Sequence, residues 1–219
     1  MTTKLKNMGH GALTRHGILT DAAAFASARG RQRLAATAAG LPDADRHILL
    51  VVLQQLEGIE QAIATLEAQI VRAGKDLPGL SRVLQIPGIS LLSGIGLLAE
   101  IGDIRWFANA KHLGAYAGLV PTVRQSNETD RRGRITKQGR KRLRPLAIRA
   151  VLVMVRTGAS PLVGFYRLKK RQKGAGKALC ATARKLLSLL FVRLTKELDY
   201  GYVADRLYHR KLRMLQKAA

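Results

Sequence analysis

"LSRVLQIPGISLLSGIGLLAEIGDIRWF", residues 80–107, is the stretch on which the fold class turns. Two apolar runs are broken by IPGIS, and helix, Pro-Gly turn, helix is the grammar of a helix-hairpin-helix. In such a hairpin Gly88 permits the tight turn, and backbone N–H groups at the start of the second helix can face a phosphate. Gly94 and Gly96 leave room for close helix packing. Glu100 and Asp103 are too isolated to suggest a metal site.

Upstream, GKDLPGL (74–80) reads as a linker with little to bury. Before it, Leu49, Val52, Leu56, Ile59, Ile63, Leu66 and Ile70 are spaced 3-4-3-4-3-4, an a/d heptad seam. The e and g positions mix Glu60 and Glu67 with Leu53, Gln55, Ala62 and Gln69, so no charge code fixes a partner. Residues 46–73 are expected to form a coiled-coil or helical-hairpin helix. It either pairs with a second copy, with Leu56 and Ile63 driving self-association, or packs on its own domain. Residues 1–45 are a basic, Ala-rich segment in which Asp21 could cap a helix that Gly40 and Pro42 stop. No chemistry is legible there.

Downstream, NAKHLGAYAGLVP (109–121) reads as a short helix with Asn109 as N-cap. Leu113, Tyr116 and Ala117 form its inner face, and His112 falls on the solvated side. TVRQS and RGRIT then flank the turn NETDR, a short β-ribbon. Gly139 precedes a helix whose buried face is Leu143, Leu146, Ala147, Ala150, Val151 and Met154, with Pro145 tolerated in its first turns. A long helix over 176–198 carries Leu179, Ala183, Leu186, Leu187, Leu190 and Leu194 on one stripe. Residues 200–219 read as a basic, frayed tail. The expected class is mainly α: a coiled-coil or helical-hairpin segment, then a helical domain with a helix-hairpin-helix-like turn and a short β-ribbon.

The chain's 219 residues can bury a core, and 47% hydrophobic content with only 5% aromatics matches a helical protein. The net charge of +24 disfavours a compact fold in isolation, so a polyanionic partner is the natural explanation. Nucleic acid leads and an anionic membrane surface comes second. Between Asp130 and Glu197 lie 66 residues with twenty Lys or Arg and no acid. A solvated face normally mixes signs, and such a run is the footprint of a phosphate backbone. The membrane alternative lacks an amphipathic helix with exposed Trp or Phe. The single Cys180 cannot form an intrachain disulfide, and no Cys/His cluster points to zinc. The N-terminal 25 residues lack the apolar core of a signal peptide. No stretch approaches the roughly 18–20 apolar residues of a membrane span. A soluble, cytoplasmic protein with no membrane partner is expected.

Generic catalysis has little to stand on: no P-loop, HExxH or nucleophile elbow is present, and the acids are scattered. Tyr166, Tyr200, Tyr202 and Tyr208 qualify as recombinase nucleophiles by residue type only. VPTVRQSNETDRRGRITKQGRKRLR (120–144) is different, because it holds Ser126 among cations. A serine hydroxyl attacks phosphate poorly unless its proton is removed and the phosphate charge is offset. Arg124, Arg131, Arg132 and Arg134 lie within eight residues of Ser126. A ribbon could fold them around one phosphodiester, and Arg grips phosphate oxygens as a bidentate fork. Lys137, Arg140, Lys141, Arg142 and Arg144 extend the candidate nucleic-acid contacts. No paired base is visible, so the residues alone leave Ser126 open between a solvated loop serine and a nucleophile.

Taken in order, the PGI turn, AYAGLVP, QS, GRITKQG and ARKLL carry a closer identification. From about residue 80 to 197 the chain closely resembles the C-terminal domain of a family of bacterial insertion-sequence transposases. That family joins a RuvC-like DEDD domain to a serine-containing domain and is guided by a structured bridge RNA. The resemblance implies that residues 80–199 form a nucleic-acid-binding domain, that Ser126 matches the family's serine nucleophile, and that helix 47–72 resembles its interdomain coiled coil. The implied partners are DNA, a structured guide RNA, and a second copy or a full-length transposase. Two departures stand out. The residue after the serine is commonly Gly in the family and is Asn127 here, which also tolerates left-handed backbone. Residues 1–45 carry only Asp21, Asp43 and Asp45 as acids and are too short for the DEDD fold. No cofactor is expected in this chain, and Mg2+ only with a DEDD domain supplied elsewhere. Two functions follow: a transposase C-terminal part acting through Ser126, or a truncated, non-catalytic nucleic-acid-binding and dimerisation module.

Overall fold

The computed structural model describes residues 2–21, 23–126, 129–158, 160–202 and 205–217, with only the backbone at 123–126, 129–132, 134 and 217. The protein is mainly helical, as expected. Residues 1–67 and 68–219 form two compact units.

In the first unit, α1 (Thr2–Thr14), α2 (Ala28–Thr37) and the beginning of α3 (Asp43–Gly74) enclose a small core. Leu13, Phe25, Leu34, Leu49, Val52 and Leu56 fill it. The segment 1–45 is therefore folded structure. Its helix cap differs from the expected one: Ser27 Oγ accepts the Gly30 N–H at 3.0 Å and starts α2, while Asp21 accepts the Ala24 N–H at 2.7 Å in the turn before. Arg31 forks onto Glu60 at 2.8 and 2.5 Å. Asp45 takes Arg15 and His16 together. The hydrogen bond from Arg15, then that from His16, hold its carboxyl below the usual carboxylate range.

The heptad seam divides along α3. Leu49, Val52 and Leu56 are buried within the first unit, so the bland expectation of packing on its own domain holds for them. Ile63, Leu66 and Ile70 are 48%, 57% and 46% exposed. By length and composition α3 is apolar enough to cross a membrane, contrary to the expectation that no stretch approaches that size.

In the second unit, α9 (Ala175–Thr195) is the central helix. Around it pack α4 (Leu80–Leu84), α6 (Ala110–Tyr116), α7 (Leu143–Thr157) and α8 (Leu162–Lys173), while α5 (Leu91–Ile101) rests on α4 and α7. The stripe read from sequence is the one used: Ala183, Leu186, Leu187 and Leu190 are buried, with Leu179 and Leu194 at its margins. On α7 the buried set is Leu143, Ala147, Ala150, Val151 and Met154. Asn109 caps α6 as expected, accepting from the N–H groups of Lys111 and His112 at 3.0 and 3.2 Å. His112 is exposed.

The end of the chain differs from the expected frayed tail. Residues Asp205–Lys217 form α10, packed on α4 and α5. Tyr208 and Leu215 meet the core, and Lys211, on the same helical face, donates from Nζ to the Leu84 carbonyl at 2.6 Å. Burial, helped by the neighbouring Arg210, lowers the Lys211 pKa to about 8.

Candidate nucleic-acid interface

Strands β1 (Pro121–Ser126) and β2 (Thr129–Ile135) form the expected antiparallel ribbon. In its register Arg124 pairs with Arg131, Val123 with Arg132 and Ser126 with Thr129. Ser126 thus ends the first strand. Asn127, the departure from the family pattern, lies outside the described residues. A register shift between Pro121 and Val123 marks a bulge near the ribbon's base, which increases local twist.

What anchors that base is a backbone interlock between the AYAGLVP and KQGR segments. The Lys137 N–H donates to the Gly118 carbonyl at 3.2 Å, and the Arg140 N–H to the Tyr116 carbonyl at 2.8 Å. These bonds satisfy carbonyls left open where α6 ends. Both glycines are required. Gly118 has φ +65, and a Cβ there would stand 2.4 Å from the Gln138 carbonyl oxygen; Gly139 has φ +101, and a Cβ there would stand 2.2 Å from that of Tyr116. Lys137 itself holds φ 54, an uncommon value for a residue with a side chain. Two motifs that looked like sequence signatures are thus one structural joint.

From this joint the chain enters α7, with Arg142 in the cap position and no acid in the first turn. Lys137, Arg140, Lys141 and Arg142 are exposed. Arg140 Nε pairs with Glu100 Oε2 at 3.3 Å, a partnership that the apparent isolation of Glu100 in the sequence concealed. Arg144 is drawn inward: its Nη1 is buried without a hydrogen-bond partner among the described residues and lies 3.0 Å from the place of a Cβ on Gly118. A buried guanidinium N–H without an acceptor is costly, so the base of the ribbon favours an anion nearby. The start of a helix adds partial positive charge in the same place.

Gly88 is the candidate that the structure does not bring to these cations. Its φ of +86 makes the turn between α4 and α5, and a Cβ there would meet Met154 Cγ at 2.5 Å and the Ala150 carbonyl oxygen at 2.7 Å. That places it two to three turns along α7, about 10–15 Å from Arg142 and Arg144 at 1.5 Å per residue. The turn is also tied down. Ser90 Oγ takes the Ser93 N–H at 3.2 Å, Gln85 bonds Asp199 and Tyr200 at 2.7 Å each, and Lys211 holds the Leu84 carbonyl. Close packing is the role this geometry gives Gly88.

Among the described residues no group of three or more His, Cys, Asp or Glu side chains comes together. These residues therefore do not fit a metal by themselves. At the start of α7, the exposed Lys137, Lys141 and Arg142 offer charge for holding phosphate.

Residues 80–167 match the family model described as Transposase IS116/IS110/IS902 family. The chain is 28% identical over 209 residues to the transposase for insertion sequence element IS1111A of Coxiella burnetii, covering 90% of this chain and 56% of that protein. It is 28% identical over 195 residues to a "Probable family 20 transposase" of Pseudomonas aeruginosa, covering 84% and 58%. With a pilin gene-inverting protein of Moraxella bovis it shares 36% identity over 114 residues, covering 51% and 35%. The chain thus spans just over half the length of the first two relatives. Residues 80–167 are thus similar to the transposase family described as IS116/IS110/IS902, and most of the chain is similar to proteins named as transposases.

Proposed function

We propose that this chain is the C-terminal, DNA-binding part of a transposase, acting in DNA transposition and site-specific recombination with Ser126 as nucleophile. The observation that carries the reading is the ribbon register. In that register Ser126 lies opposite Thr129 and Arg124 opposite Arg131, and by the alternation of the strands these four positions belong to one face of the ribbon, which supports the reading. In the reaction Ser126 Oγ forms an ester to phosphorus, the bridging DNA oxygen leaves, and the hydroxyl proton passes to a base outside this chain's described residues. Arg124 and Arg131 are the phosphate clamps, offsetting charge that grows in the transition state. Arg132, Arg134, Lys137, Lys141, Arg142 and Arg144 hold the flanking backbone of DNA or of a structured guide RNA. Carboxylates that bind Mg2+ come from a DEDD domain elsewhere, and the exposed end of the α3 seam joins this chain to a second copy or to a full-length transposase. The place of action is the cytoplasm.

The alternative, a non-catalytic nucleic-acid-binding and dimerisation module, draws on the lack of a metal-holding acid cluster among the described residues. Both readings require DNA binding, so that is tested first. Titration of a labelled duplex at 50 and 200 mM salt should show affinity falling by about 10³-fold or more, as expected for six or more phosphate contacts. Affinity indifferent to salt would remove the basis of both.

A further inference from the structure

KKRQKGAGK (169–177) connects α8 to α9 through Gly174 alone, and it contains five cations in nine residues. Residues 170–177 are all exposed. Lys169 donates to Gln172 at 3.0 Å, and among the described residues none of the five pairs with an acid. Six arginines elsewhere do have an acid partner: Arg15, Arg31, Arg46, Arg82, Arg105 and Arg140. The α8–α9 tip is left bare. Repulsion among unpaired cations held on a rigid helical hairpin is relieved by an anionic partner.

The aromatic residues of this hairpin say which kind of nucleic acid fits. Tyr166 is buried in the core. Phe165 is half-buried, with Lys185 Nζ at 4.4 Å and Lys169 Nζ at 5.8 Å from its ring centroid. A single-strand site needs open aromatic faces on which bases stack, and the tip at 170–177 contains no aromatic residue. It offers point charges that track a phosphate backbone.

We propose that the α8–α9 tip is a second DNA-binding surface, gripping duplex backbone without reading sequence, apart from the ribbon and the start of α7. The assignment rests on the DNA-binding reading above and adds the surface and the form of DNA. The test uses the full chain with Lys170, Arg171, Lys173 and Lys177 replaced by Ala, all exposed positions, with circular dichroism and melting checked against the parent. Binding to a labelled 30-base-pair random duplex, its single strand, and a folded RNA of similar length is measured across a salt series. The duplex slope of log K against log salt should flatten by about 3–4, near 0.9 for each phosphate no longer neutralised, with affinity lowered about tenfold or more at 0.1 M salt. Single-strand affinity should fall less. A variant that melts like the parent with an unchanged duplex slope overturns the proposal while leaving DNA binding standing. A larger fall on single strand or on RNA than on duplex overturns the assignment to duplex. A parent that binds no duplex overturns this proposal and the DNA-binding reading together.

Discussion

Gly118 and Gly139 decide how the basic residues beyond the ribbon are presented. Each holds positive φ, and a Cβ at either would fall within 2.4 Å of a facing carbonyl oxygen, so a side chain there forces strain and a shift of the backbone. Gly139→Ala should cost about 1–3 kcal/mol, the usual penalty of forced strain at such a position. The melting temperature should drop, and duplex affinity should fall with it because Arg140 to Arg144 lose their anchor. Unchanged melting would mean the joint is not rigid. Lys211 offers a second residue-scale check. Its pKa is lowered to about 8 in the fold, so the unfolded chain holds that proton more tightly. Stability should therefore be poorest below about pH 8 and rise as pH increases from 8 toward the ordinary lysine range. Comparing melting temperatures at pH 7 and 9.5 for the parent and Lys211→Met tests this: the rise should be smaller in the variant. An equal rise would place the titrating group elsewhere.

At the scale of elements, the seam of α3 separates two roles that spacing alone had merged. Leu56 belongs to the core of the first unit, so Leu56→Asp should unfold that unit and says nothing about association. Ile63, Leu66 and Ile70 are the exposed part of the seam, and replacing all three by Gln should convert an oligomer into a monomer in ultracentrifugation with melting preserved. An unchanged mass, or a monomeric parent, rejects the seam as an interface. The same element shows what was legible in the sequence. A 3-4 repeat announces a helix and its apolar face, but it cannot say which part of that face a neighbouring helix covers. The stripes of α7 and α9 and the Asn109 cap were readable because each rests on local spacing or on one side chain reaching its own backbone. Helix α10 was missed because Tyr208 and Leu215, seven residues apart, are embedded among Arg and Lys, and only docking against α4 and α5 makes that face worth burying. The ribbon was readable from its β-branched flanks, whereas the joint at Gly118 and Gly139 depends on two segments that are twenty residues apart meeting through their backbones.

Across the whole molecule the charge is divided into zones. Arginines of the first unit mostly meet carboxylates, while the 66 residues after Asp130 carry twenty cations and no acid. In the proposed function a polyanion, DNA, offsets this charge. The described residues assemble no set of acids for a metal, and the chain spans just over half of the relatives that it matches over most of its own length. In the proposed function, strand cleavage by Ser126 draws on carboxylates outside the described residues, and residues 1–219 by themselves are predicted to bind DNA without forming a covalent product. The most direct measurement mixes this chain with DNA, guide RNA, Mg2+ and a full-length family transposase whose own serine has been replaced, then looks for a protein–DNA adduct on a denaturing gel. A covalent band at the mass of this chain should form with the parent and vanish with Ser126→Ala, while duplex affinity stays the same. An adduct of equal yield in the Ala variant, or no adduct from a parent that binds the same DNA, would contradict the assignment of Ser126 as the nucleophile.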